Sequence, residues 1–378
     1  MSATKHLLRE LIALPSVNPA FLPDQKELTG EQRVVDFLTA RAAKAGLAIE
    51  LQEVFPNRSN LLAHYLPSGP VRQRILLAPH LDTVGGDPCS AVLFTPRETN
   101  GRLFGRGACD TKGSAAAMLA ALERTAASPH RPRHTEIVFA GLVDEEHGQS
   151  GSRALAARGL KADLAIIGEP TRLEVVTAHK GDLWLRLETR GRSAHGAYPH
   201  LGRNAVHTMS RIVHLLETRY ARALRRRRHP LLGHATVSVG SIQGGSQPNV
   251  VPAQCVISLD RRTLPGETEA SVSHEIRALL RRHHLAGTLE NSKAAPCLAL
   301  ETNPRLPLVQ QFLRGVGRRR PVGAHFFCDA SVLAHAGIPS VVFGPGDIAQ
   351  AHTQSEWISL AALERATELL TRFLLSLP

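Results

Sequence analysis

The sequence predicts an α/β fold: a mixed, doubly wound domain into which a ferredoxin-like (βαββαβ) domain is inserted. Three observations predict it. Short apolar runs, RILLAP at 74–79, EIVFAGLV at 136–143 and DLAIIG at 163–168, alternate with helical stretches. Strands apolar on both faces belong in a mostly parallel sheet covered by helices. The middle of the chain then changes rhythm to strand, helix, strand, strand, helix, strand, and the first pattern resumes after it. The expected division is 1–178 with 292–378 for the first domain and 179–291 for the inserted one.

The elements follow in order. Residues 3–14 space their apolar side chains as a helix does, and residues 30–45 form a second helix that stops at Gly46, since glycine accepts the left-handed conformation of a helix end. Strands are expected at 47–54, 60–66 and 74–79. Asn100-Gly101 reads as a tight turn, with a brief strand, the glycine-rich GRGACDTKG and an alanine-rich helix at 113–127 after it. Strands at 136–143 and 163–168 complete this half. The insertion contributes the strand DLWLRLETR, a helix at 204–224, the strands ATVSVGSIQGG and QCVISLDRR, a helix at 268–282 and a strand at 288–291. A helix at 307–316, the strand SVVFGPG at 340–346 and a helix at 360–377 close the chain.

Composition narrows the function classes. With 378 residues, 43% hydrophobic and 21% charged, the chain has an ordinary globular balance and enough length for two cores. No apolar run approaches the ~20 residues that span a bilayer. The N-terminus MSATKHLLRE carries no apolar segment or small-residue cleavage site, so no secretory signal is expected. Cys89, Cys109, Cys255, Cys297 and Cys328 form no CxxC pair, which fits reduced thiols and a cytoplasmic location. The formal charge of +12 is densest at 225–228 and 318–320. Yet the 11 Phe, 3 Tyr and 2 Trp do not interleave with those arginines, so a base-stacking nucleic-acid surface is not expected.

The chemistry begins at VDEEHGQSGS, where Glu145 and Glu146 stand side by side at the end of an apolar run. Alone, such a pair is a solvated turn. Here it has company at other strand ends: His80 and Asp82 close RILLAPHLD, Asp110 sits in GACDTKG, Glu169 closes DLAIIGEP, and His352 follows the last strand in GPGDIAQAHTQSEW. Ligands of open α/β sheets gather beyond the carboxyl ends of the strands. Two imidazoles with several carboxylates suit two divalent cations, zinc foremost, with cobalt or manganese as alternatives. Asp110 is the candidate bridge between ions about 3.5–4 Å apart. His80 with Glu169 would complete one position, and Glu146 with His352 the other. Asp82, two residues after His80, is placed to accept the second imidazole N–H. Glu145 is then free to move protons, and two cations remove the repulsion between the neighbouring carboxylates. Cys109, His147, His179, His325 and His335 read as packing or surface residues, while Lys180 fits either a structural or a substrate role.

HLDTV, GRGACDTKG, DEEHGQSGS, IIGEPT and AHTQSEW, in this order, resemble a family of dinuclear metallohydrolases. That family comprises acetylornithine deacetylase, succinyl-diaminopimelate desuccinylase, aminoacylase and carboxypeptidase G. TAHKG, RGRSAH, LGRNAV, DRRTLPG, FGPGDIAQAH and the tetrapeptide Cys328-Asp329-Ala330-Ser331 look like the acetylornithine deacetylase branch. GAYPHLGRN and the arginine runs depart from it, which leaves the acyl-amino acid open. The resemblance implies that the first domain is catalytic, with the metal roles above, Glu145 as general acid/base and a cis peptide after Asp110. It implies that the insertion is a lid and dimerisation domain of a homodimer. There His195 would reach across the dimer to the developing oxyanion, and Asn249 and Arg262 would hold a substrate carboxylate. The implied activity is hydrolysis of the amide of a small N-acyl amino acid, N-acetylornithine first. A metallo-exopeptidase or a succinyl-diaminopimelate desuccinylase is the alternative. A non-catalytic scaffold would have no use for Glu145.

Overall fold

In the computed structural model, which describes residues 2–86, 90–293 and 296–378, the apolar runs form the centre of a mixed sheet. Gln73–Pro79 lies between Thr135–Gly141 and Leu164–Gly168, and Ser340–Val342 pairs with the far edge of Leu164–Gly168; all four are parallel. Leu77 stands beside Phe139 on one side and Ile166 on the other. The antiparallel hairpin of Ala48–Phe55 and Arg58–Tyr65 extends the sheet beyond Thr135–Gly141. Ile75, Leu77, Ile137, Phe139, Ile166 and Val341 face the larger helical layer, formed by Ala3–Ile12, Gln32–Lys44, Lys112–Ala126, Pro307–Gly315 and Leu360–Leu375. The alternate residues Leu76, Val138, Ala165 and Val342 are buried as well, with Ala330–His335 packed near them. Helices on both faces explain why these strands are apolar throughout.

The alanines of Lys112–Ala126 serve close packing. Twelve of its fifteen residues are buried, and a Cβ on Gly113 would stand 2.5 Å from the Ala108 carbonyl. Lys112 opens this helix fully buried, and its ammonium donates to the Leu11 carbonyl at 2.9 Å and the Leu14 carbonyl at 2.6 Å. That bond ties the end of the first helix to the start of the helix behind Asp110.

Several expectations are corrected. The strand expected at 136–143 ends at Gly141, and Leu142 instead forms an isolated bridge with His80. The strand expected at 340–346 ends at Val342, because Pro345 has no N–H to pair and Gly346 turns left-handed at φ 89°. The helix expected at 204–224 is Ala205–Leu215 and Ala221–Leu224 joined through a π-helical turn, Leu216–Tyr220. Helices Ser150–Ala157 and Ala330–His335 were not expected; at 8 and 6 residues they are too short to show a helical period. A small sheet of Arg97–Thr99, Arg102–Phe104 and Trp357–Ser359 surrounds the Asn-Gly turn. The expected cis peptide is present between Asp110 and Thr111.

The chain divides into two compact units, Met1–Thr177 with Thr302–Val322 and Cys328–Pro378, and Ala178–Glu301 with Gly323–Phe327. The second unit has the strand order Thr236–Gly244, Gln254–Thr263, Gly181–Arg190, Thr288–Asn291, antiparallel throughout, which is the ferredoxin-like arrangement. Its helices bury Met209, Ile212, Val272 and Ile276 in one cluster with Leu185, Leu187, Ile257 and Leu259. Among the described residues no helix is long and apolar enough to cross a membrane. Cys109, Cys255, Cys297 and Cys328 are buried and form no disulfide among the described residues; Cys89 lies outside the described residues.

Replacing Lys112 by methionine removes the ammonium bonds to the buried Leu11 carbonyl and the part-buried Leu14 carbonyl. Urea unfolding of Lys112→Met should show a loss of about 1–3 kcal/mol; an unchanged midpoint and slope would contradict this role.

Candidate metal centre

His80, Asp82, Glu145, Glu146 and Glu169 arrive together because three neighbouring parallel strands end together. His80 follows the Gln73–Pro79 strand and pairs with Leu142, and Glu169 follows Leu164–Gly168. The turn after Leu142 carries the two glutamates, with Asp144 held at φ 65°. His352 also adopts a left-handed conformation, φ 61°, one that His and Asp tolerate better than most residues.

Asp110 presents one carboxylate oxygen to each histidine. Its Oδ1 lies 3.1 Å from His80 Nε2, and its Oδ2 lies 3.4 Å from His352 Nε2. Glu169 Oε1 stands 3.8 Å from His80 Nε2, and Glu146 Oε2 stands 3.2 Å from His352 Nε2. Two compact groups result, His80–Asp110–Glu169 and Asp110–Glu146–His352, each with ligand atoms within 4.8 Å of one another. The five expected ligands are therefore together, and Asp110 belongs to both groups.

The electrostatics match a cation site. Burial, then the charges of Glu169, Asp329 and Glu146, push the Glu145 carboxyl well above the usual range, against the nearby His80. Burial likewise raises Glu169, with Asp110 and Glu146 adding to it, and raises Glu146 to about 7. Asp110 is the exception: burial would raise it, but hydrogen bonds from His352 and His80 hold it well below the usual value. Among the described residues Glu146 Oε1 is buried with no hydrogen-bond partner. A crowd of buried carboxylates, one with an unpartnered oxygen, suits divalent cations and little else.

Asp82 has more work than orienting one ring. His80 Nδ1 lies 3.0 Å from its backbone carbonyl and 3.4 Å from its Oδ1. The same carboxylate accepts the backbone N–H of Glu145 at 3.0 Å, that of Glu146 at 3.1 Å, and the Asn18 side-chain amide at 2.8 Å. Behind it, Asn18 also donates to Asp144 at 2.9 Å, and Glu31 accepts the Asp144 N–H at 3.0 Å while paired with Arg58 at 2.6 Å.

Sequence reasoning missed this supporting layer. Asn18, Glu31, Arg58 and Asp144 are scattered single residues whose meaning appears when the chain is folded. It also missed Glu356, which accepts four hydrogen bonds from the loop before Asp110. Asp329, whose Oδ1 accepts from Ser152 at 2.5 Å, was missed as well. Glu356 stands in AHTQSEW, four residues beyond His352, and that spacing is the available signal.

His195 and Asn249 lie together in the inserted unit, where the Asn249 carbonyl accepts the Gly196 N–H at 2.7 Å and His195 bridges Val250. Both are exposed. Arg262, on Gln254–Thr263, forms a bidentate pair with Asp260 at 2.9 and 3.0 Å and faces Asp182 at 3.7 Å.

Comparison with known proteins decides the family. Residues 76–376 match the pattern described as peptidase family M20/M25/M40. The chain belongs to this family. A curated relative from Myxococcus xanthus, acetylornithine deacetylase, is 32% identical over 390 residues, covering 98% of this chain and 97% of the relative. Among solved structures, aminopeptidase PepT from Bacillus cereus superposes with a TM-score of 0.78 at 21% identity, covering 99% of this chain and 97% of that one. A Bacillus subtilis protein described as a dinuclear metal-binding peptidase of the M20 family gives 0.70 at 12%, with 98% and 96% covered. As an M20 protein the chain is a metal-dependent hydrolase acting on amides, and the two ligand groups accord with a dinuclear site.

Asp82→Ala should weaken divalent-cation binding about 10- to 100-fold, read by calorimetric titration with Zn²⁺. Affinity equal to that of the wild type would show that the turn holds without Asp82.

Proposed function

We propose that this M20 enzyme hydrolyses the amide bond of N-acyl amino acids, with N-acetylornithine as its first substrate. The observation that carries the reading is the division of labour at the strand ends. Asp110 faces both histidines, Glu146 and Glu169 each complete a group, and Glu145 belongs to neither. The acetylornithine deacetylase relatives, at about a third identity over nearly the full chain, support the choice of substrate.

His80, Asp110 and Glu169 would hold one divalent cation, and Asp110, Glu146 and His352 the other, zinc being the proposed metal. Such a pair polarises the scissile carbonyl and makes an attacking water more acidic. Glu145 takes a proton from that water as its oxygen bonds to the amide carbon. As the C–N bond breaks, Glu145 returns the proton to the leaving nitrogen, so a carboxylate and an amine are released. A buried carboxyl whose affinity for protons is raised above the usual carboxylate value is suited to both steps. Asp82 fixes the backbone of Glu145 for this task and holds His80 in place.

His195 is proposed as the oxyanion donor. The Ala197 N–H donates to its Nδ1 at 3.1 Å, which leaves Nε2 as the protonated nitrogen of the neutral ring and a donor to negative oxygen. Asn249 and Arg262 are proposed to recognise the substrate carboxylate. The pairing with Asp260 fixes the plane of the Arg262 guanidinium, so carboxylate recognition uses the edge this pairing leaves. A homodimer formed through the inserted domain, a cytoplasmic location and a place in arginine synthesis belong to the same proposal.

Glu145→Ala should retain metal content while turnover falls to background, and His195→Ala should lower kcat about 10²–10³-fold with a smaller change in KM. Loss of metal in the first or unchanged kcat in the second would refute these roles. The substrate is tested with the Zn²⁺-loaded enzyme on N-acetylornithine, N-succinyl-diaminopimelate, other N-acetyl amino acids and dipeptides. The proposal expects the highest kcat/KM on N-acetylornithine. A preference for dipeptides would make the protein an exopeptidase using the same residues.

A further inference from the structure

Glu356 occupies neither ligand group, yet it is 3% exposed and fully engaged. Its Oε1 accepts the backbone N–H of Cys109 at 2.8 Å and of Asp110 at 3.0 Å. Its Oε2 accepts the Gly107 N–H and Arg106 Nη1, both at 2.9 Å, and its carbonyl accepts the Gly105 N–H at 3.0 Å. The loop from Gly105 to Asp110 is thus wound around one side chain. A carboxylate with two acceptor oxygens matches these donors, whereas an amide would turn an NH₂ group toward N–H groups and leave buried donors unpaired.

What this loop carries gives the contact its consequence. Asp110 ends the loop, and its own N–H is among the donors bound by Glu356. His352 lies four residues before Glu356 on the same segment. Two of the three side chains in the Asp110–Glu146–His352 group therefore depend on one anchor. The other group shares Asp110 but draws its two remaining side chains, His80 and Glu169, from residues that directly follow strands of the central sheet, so only one of its three depends on this anchor. Glu146 is held through its backbone by Asp82.

We propose that Glu356 is a positioning residue that sets the second cation position, by fixing the loop that ends in Asp110 and the segment that carries His352. The inference rests on the two-cation reading above and adds an asymmetry to it: both positions share Asp110, but only the second also takes His352 from the segment that carries Glu356, so the second responds more strongly to its loss.

The test is a calorimetric and absorbance titration of wild type and Glu356→Gln with Co²⁺ alone. Wild type should take up two ions. The variant should keep its first binding step within about threefold and weaken the second about 10- to 100-fold, as loss of a supporting contact does. An unchanged second step, or equal weakening of both, overturns the proposal. A wild type that binds fewer than two ions overturns the two-cation reading instead. Amide hydrogen exchange of the wild type, without added cation, tests the same point without any variant. The Gly107, Cys109 and Asp110 amides should already be protected, because Glu356 holds them. Protection that develops only on adding Co²⁺ would contradict the proposal, and this result decides the matter should Glu356→Gln fail to fold.

Discussion

The carboxylate of Asp82 is the contact on which the rest of the site depends. It is fully buried, and it accepts from two successive backbone amides, those of Glu145 and Glu146, and from Asn18. A buried anion is costly unless its oxygens are satisfied, and here they are satisfied by the turn that must be aimed. Burial would raise the Asp82 carboxyl, yet hydrogen bonds from His80, Asn18 and the Glu146 amide bring it below its usual value. One ionised group therefore aligns a candidate ligand ring, a candidate ligand carboxylate and the candidate proton carrier between them.

The sheet makes this convergence possible. Three parallel strands end side by side, and the His80–Leu142 bridge continues their register one step beyond the strands themselves. The remaining candidate ligands come from loops, and these have their own braces: Glu356 for the segment before Asp110, and the Glu31–Arg58 pair with Asn18 for the Asp144 turn. Rigid strand ends with braced loops keep several like charges within a few ångströms of one another, an arrangement that pairing with divalent cations favours.

Much of this was legible in the sequence for physical reasons. Strands buried on both faces are continuously apolar, so RILLAP, EIVFAGLV and DLAIIG announced themselves, and chemically active side chains at their ends followed from the geometry of parallel sheets. The ferredoxin-like order was readable because five of its six elements run nine residues or more. Short elements such as Ala330–His335 left no period to detect. The brace residues were hidden for a different reason. Asn18, Glu31 and Arg58 are ordinary polar residues far from the motifs, and Glu356 is one acidic residue in a polar loop. Their roles come from tertiary hydrogen bonds, which no local pattern encodes.

The central claim is that the carboxyl ends of these strands hold two divalent cations bridged by Asp110. Anomalous diffraction from crystals of the zinc-loaded protein, recorded above and below the zinc edge, tests it most directly. The account predicts two peaks about 3.5–4 Å apart, one ligated by His80, Asp110 and Glu169 and the other by Asp110, Glu146 and His352. A single peak, or a pair without Asp110 between them, would contradict it.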